Sequence, residues 1–110
     1  MAKCVRELRS VALTNTSNQE AVRIDLSNCN GVSFQLNSLA ATSGSMRVQR
    51  SNDGTNWEDV SGATKTLTNA ATNVANTLEV SPIYSGFARL LVTLAAGGGT
   101  YTAIAFGKER

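Results

Sequence analysis

The sequence of 110 residues has no histidine, one proline and two cysteines, Cys4 and Cys29. Without histidine, the usual base of a nucleophilic triad is missing. A Cys/His zinc site is equally excluded, and no CxxC pair stands in for it. The three lysines, Lys3, Lys65 and Lys108, adjoin no serine-based catalytic motif. Of the eight acidic residues only Glu58 and Asp59 are adjacent. Neighbours on a strand point to opposite faces, so this pair cannot flank one glycosidic bond. The chain lacks any apolar run long enough to span a membrane. Its opening, MAKCVRELRS, has no apolar signal region. Charged residues make up only 16%, with a net charge of +2, too small a bias to imply nucleic acid. These absences predict a non-enzyme made in the cytoplasm, with no catalytic, cofactor-binding or metal site. Neither nucleic acid nor a membrane is expected as a partner.

What is present is β-forming. The chain is 42% hydrophobic, but much of that is alanine, and Ser, Thr and Asn are abundant. Polar turns between short strands suit this mix better than exposed helices do. Its length fits one domain, residues 1–110. The two thiols are expected to be free and buried, with a Cys4–Cys29 disulfide as the alternative. Seven arginines against three lysines hint at interface use, since Arg is enriched at interfaces and Lys depleted.

Alternation marks the strands. In 21–27, Val22, Ile24 and Leu26 face one way, and Arg23 and Asp25 the other; in 32–37, Val32, Phe34 and Leu36 alternate with polar residues. Asn28-Cys29-Asn30-Gly31 connects these two as a hairpin or as a crossing between sheets. Residues 3–14 predict a further strand, although KCVRELRSVALT also contains helix formers. Two short strands are expected over 57–60 and 63–68, broken at Gly62, then one over 74–80 with Leu78 and Val80 inward. Residues 86–95, GFARLLVTLA, carry large apolar groups on both faces, which calls for a central position or cover by a neighbouring subunit. Gly97-Gly98-Gly99 predicts a hairpin connection. A phosphate cradle would need a following helix, whereas Thr100-Tyr101-Thr102 opens the last strand, 100–107. The sum is an all-β, single-domain antiparallel β-sandwich, jelly-roll-like, of eight or nine short strands.

One stretch concentrates the polar chemistry: Met46 to Val60, MRVQRSNDGTNWEDV. It predicts a hairpin turning at Asn52-Asp53-Gly54-Thr55-Asn56. Asp53 or Asn52 caps the turn, and Gly54 takes positive φ. The amides and acids invite a thought of calcium, but no EF-hand spacing is present. Trp57, the single tryptophan, is expected to pin the returning arm to the core, removing roughly 200 Å² from water.

The segment Val48–Val60 resembles two known settings. One is the small β-sandwich of tailed phages and phage-like particles. The other is the discoidin, or coagulation-factor type C, domain, in which a strand ending Ser-x-Asp-Gly turns into a Trp-containing strand; Phe87-Ala88-Arg89-Leu90 resembles that family's Ala-Arg strand. The chain is short for a discoidin domain, and Cys29 lies far from the C-terminus, where that family's disulfide would end. The resemblance therefore implies the fold and no particular ligand.

Two functions are compatible with these readings. The first is a structural protein that associates with itself as a homo-oligomer and with a capsid or other large assembly. A phage-type capsid decoration (cement) protein, virion-associated, is the concrete form. Its polar outer faces, absence of a catalytic set and two-faced strands motivate it. The alternative is a carbohydrate-binding module of discoidin/galactose-binding type, with Trp57, Tyr84 or Tyr101 as stacking platforms.

Overall fold

A computed structural model describes residues 4–14, 18–26, 29–38, 43–67, 74–96 and 99–108. They form eight strands: β1 (Cys4–Leu13), β2 (Gln19–Asp25), β3 (Gly31–Ser38), β4 (Ser43–Ser51), β5 (Glu58–Thr66), β6 (Val74–Val80), β7 (Phe87–Ala96) and β8 (Gly99–Lys108). Two antiparallel sheets face each other, sheet A in the order β1-β8-β3-β6 and sheet B in the order β2-β7-β4-β5. The strand expected over 3–14 is present as β1. Only the turn between β4 and β5 joins partners within a sheet; every other connection crosses. The β2–β3 connection is thus the crossing rather than the hairpin. The β7–β8 connection also crosses, which corrects the expected glycine hairpin; Gly97 and Gly98 themselves lie outside the described residues.

The alternating patterns close the core. Val22, Ile24, Val32, Phe34, Leu36, Met46, Val48, Ala88, Leu90, Val92, Tyr101 and Ala103 are all buried between the sheets. Leu78 and Val80 pack against this cluster from β6. Cys29 is buried; the side chain of Cys4 lies outside the described residues.

Three irregularities break the two-residue period. In β2 the register against β7 shifts between Glu20 and Val22, so Ala21 is a bulge residue. By strict alternation with Val22 and Ile24, Glu20 would point into the core. One inserted residue turns it to the outer face instead. In β5, Thr64 pairs with Arg47 but Asp59 pairs with Gln49, so the extra residues loop out of the ladder around Gly62, which has φ +78°. Gly62 does not divide the strand, as the sequence suggested; it bends one continuous strand. In β4, register against β7 shifts at Ser43/Gly44.

β7 occupies the centre of sheet B, between β2 and β4. That satisfies much of its two-faced apolar character without a partner: Leu91, on the outer face, is only 4% exposed, flanked in register by Glu20 and Arg47. Uncovered apolar surface lies elsewhere, on sheet A.

Candidate functional site

The outer face of sheet B is built from one side of each strand. Glu20 and Arg23 come from β2, Arg89 and Leu91 from β7, Arg47 and Gln49 from β4, and Asp59 from β5. Glu20 is the hub. Arg23 Nη2 donates to Glu20 Oε1 at 2.8 Å, and Arg89 Nη1 donates to the same oxygen at 3.2 Å. Arg9 of β1 approaches Oε2 at 3.9 Å. Arg89 also donates through Nη2 to Gln49 Oε1 at 2.7 Å. Gln49 passes the chain on, donating through Nε2 to Asp59 Oδ1 at 2.8 Å. Arg47 completes it, donating to Asp59 Oδ1 at 3.0 Å and to Asn18 Oδ1 at 2.9 Å.

Trp57 belongs to this face and not to the core, a correction to the sequence-based expectation. The guanidinium carbons of Arg89 and Arg23 lie 4.3 and 5.1 Å from its ring centroid, within cation–π range. The turn before it folds over the same face. Arg23 Nη1 reaches the Gly54 carbonyl at 3.4 Å, and a Cβ at Gly54 would meet the Phe87 ring at 3.5 Å. The turn chemistry is as expected: Asp53 Oδ1 accepts from the Thr55 and Asn56 amides, both at 2.8 Å, and from Ser51 Oγ at 2.8 Å. Asp53 Oδ2 accepts from Asn56 Nδ2 at 2.9 Å, and Gly54 has φ +74°. These donors hold the Asp53 carboxyl well below the usual range, the Asn56 and Thr55 amides foremost. Among the described residues, no group of three or more acidic or cysteine side chains is placed to hold a metal ion. Glu58 and Asp59 do point apart, Glu58 pairing with Arg50 at 3.0 Å.

The charges of this face set a pH dependence. Burial opposes ionisation of Glu20, but hydrogen bonds from Arg23 and Arg89 and their charges outweigh it, so its pKa falls below the ordinary 4.5. Asp59 is depressed by Gln49 and Arg47. A depressed carboxyl stabilises the fold fully above its unfolded pKa and loses that contribution as pH falls through the folded value. Thermal stability is therefore expected to be level from about pH 8 to about pH 5 and to fall below about pH 4. Glu20→Gln should lower the plateau and shallow the acid limb. A melting temperature series read by Trp57 fluorescence checks this, and an unchanged acid limb in Glu20→Gln contradicts it.

The other aromatic candidates separate. Tyr101 is 4% exposed and part of the core, so it offers no platform. Tyr84 is 74% exposed, in the β6–β7 loop. That loop is tied to the 52–56 turn by Gly86 N donating to Asn52 Oδ1 at 3.1 Å.

Sheet A presents a different outer face. Leu8 of β1 is 63% exposed and sits in register with Ile104 of β8, next to the Arg6–Phe106 pair. Ile104 and Phe106 are half-buried. Uncharged residues continue the face across the sheet, with Ser33, Gln35 and Asn37 on β3 opposite Phe106, Ile104 and Thr102.

No protein-family model matches the chain, and no curated protein matches it in sequence. Its structure is similar to the SPBc2 prophage-derived protein YomS, with TM-score 0.54 and 11% identity over 96% of each chain. A CBM4 structure follows at TM-score 0.51 and 14% identity, covering 84% of this chain and 59% of that one. The enzymatically active domain of the bacteriophage CBA120 tailspike protein 4 matches at TM-score 0.54 and 8% identity, over 97% of this chain and 19% of that one. These likenesses are of fold. The β-sandwich is common to phage proteins and a carbohydrate-binding module, and it fits either reading.

Of the residues on these two outer faces, Arg23 and Arg89 are legible as outward-facing by simple alternation. Glu20 is not, because a bulge reverses its parity. Leu8 is hidden for another reason: its strand alternates weakly, and only the position of β1 at the sheet edge exposes it.

Proposed function

We propose that the chain is a non-enzymatic structural protein of a phage-type particle, associating with copies of itself and with the larger assembly. The observation that carries this is the exposed Leu8 with the half-buried Ile104 and Phe106 beside it on the outer face of sheet A. A large aliphatic group left mostly in water on an edge strand, with Arg6 and Ser10 on either side of it on the same face, is what a contact surface presents. The strand order also supports the jelly-roll form of the sandwich. Two phage-derived proteins share the fold, which accords with the virion setting.

A second reading, carbohydrate binding, is favoured by the surface position of Trp57 beside Arg23 and Arg89. The two guanidinium groups, 5.1 and 4.3 Å from the ring centroid, already take up part of the ring surface a sugar would stack on, so it ranks below the first.

Native mass spectrometry, electron microscopy and co-sedimentation with particles encoded by neighbouring genes test the choice. Oligomers, particle binding or both are expected, with a blank glycan array. A chain that stays monomeric at micromolar concentration and co-sediments with no particle overturns the structural reading. Glycan binding abolished by Trp57→Ala would establish the second.

A further inference from the structure

β1 is an edge strand of sheet A, and every residue from Arg6 to Ser10 is exposed. The opposite edge of the sheet, β6, is engaged across the sandwich: Lys65 of β5 donates to the Thr77 carbonyl at 3.2 Å. No such strap crosses Arg6–Ser10 among the described contacts; Arg9 only approaches Glu20, at 3.9 Å. Charges on an edge strand ordinarily obstruct pairing with another chain. Here their order does the reverse. The run Arg6-Glu7-Leu8-Arg9-Ser10 is self-complementary when read antiparallel about Leu8. Glu7 then lies opposite Arg9 of the second copy, twice by symmetry, and Arg6 lies opposite Ser10.

We propose that two copies of this chain pair antiparallel along β1, on a two-fold axis at Leu8. The proposal rests on the self-association reading above and names its interface. The two four-stranded A sheets become one continuous sheet. Directly opposite residues of an antiparallel pair share a face, so Leu8 meets Leu8 of the second copy on the outer face. Each is already in register with its own Ile104. The result is an unbroken apolar row of Ile104, Leu8, then Leu8 and Ile104 of the second copy. On the other face, Glu7 is in register with Ala105 and Arg9 with Ala103. Those small neighbours leave room for both exposed side chains to reach across, Arg9 turning from Glu20, 3.9 Å away, to Glu7 of the second copy. An isologous contact of this kind closes on itself and gives a dimer rather than a fibre.

Charge exchange tests the register directly. In analytical ultracentrifugation, wild type is expected to dimerise. Glu7→Arg and Arg9→Glu each place two like-charged pairs across the axis, and each should weaken dimerisation about tenfold or more. The double variant E7R/R9E restores opposite charges and should recover the wild-type dissociation constant. All positions are exposed, so circular dichroism should show each variant folded. Dimerisation untouched by either single exchange, or not recovered in the double variant, overturns this interface while leaving self-association standing. A wild-type chain that is monomeric up to about 1 mM also overturns it, and then only particle binding would carry the proposed function.

Discussion

Gly44→Ala is expected to destabilise the domain by roughly 3 kcal/mol or more, a large part of the 5–15 kcal/mol typical of a domain. Gly44 has φ +147°, a region from which a side chain is nearly excluded. Space is the harder limit: a Cβ there would sit 2.0 Å from the Thr93 carbonyl oxygen and 3.0 Å from the Leu94 Cα. Neither atom can rotate away, because both belong to the β7 backbone. The strand would have to part from β7 at the point where the ladder shifts register. It would also strain the bond from Leu67 N to the Gly44 carbonyl, 2.9 Å long. Gly62→Ala is the natural control. Gly62 also has positive φ, but a Cβ there meets nothing within 4 Å, so its cost should stay near 1–2 kcal/mol. Urea denaturation of both variants measures the difference. A Gly44→Ala midpoint no lower than that of Gly62→Ala would refute the steric argument. The effect reaches the surface as well, since Gly44 sets the register from which Arg47 and Gln49 are presented on sheet B.

Period-two alternation carried most of the fold. It set Val22, Ile24 and Leu26 on one face and Val32, Phe34 and Leu36 on another, and the structure buries them all. What alternation could not carry was any departure from period two. The Ala21 bulge moves Glu20 from a core position to the centre of an ion-pair network, and nothing in the letters QEAVRID marks the insertion. Gly62 was visible as an irregularity, but a glycine breaks one strand and bends another equally well; the pairing with β4 decides. Trp57 failed for a different reason. Size alone argues for burial, yet a ring flanked by two guanidinium groups gains cation–π attraction and partial cover at the surface. Seeing that required knowing that Arg23 and Arg89 lie directly opposite each other on β2 and β7. Sheet partnership is long-range information, and the glycine-rich β7–β8 connection shows the same gap: local turn chemistry says that the chain reverses, not which sheet it joins. Leu8 is the surface counterpart, since its exposure depends on β1 having a neighbour on one side only.

The alanine content singled out by composition has a structural counterpart in sheet A, and it makes Phe34→Ala the most damaging simple truncation to expect. Phe34 is fully buried, the largest such side chain among the described residues. It lies on β3 between Leu78 of β6 and Ala105 of β8. Ala103 is the next inward residue along β8 and is equally buried. A large ring opposite small methyl groups is how facing positions share volume at interior density. Truncating the ring therefore leaves a void lined partly by side chains that have nothing to extend into it. Collapse is poor at such a site, so the loss should lie toward the upper part of the 3–5 kcal/mol seen for buried Phe→Ala changes. At about 4 °C or more per kcal/mol for a domain near this size, the melting temperature should drop by roughly 15–20 °C. Phe34→Leu keeps most of the volume and should cost about half as much or less. The reciprocal change, Ala105→Leu, adds volume where the ring already sits and should also destabilise, by about 1–3 kcal/mol. If the two positions truly share one space, the losses will not add: the double variant Phe34→Ala with Ala105→Leu should be more stable than the sum of the single effects predicts, by about 0.5 kcal/mol or more. Strict additivity in calorimetric melts would mean that the ring and the alanine do not share that volume.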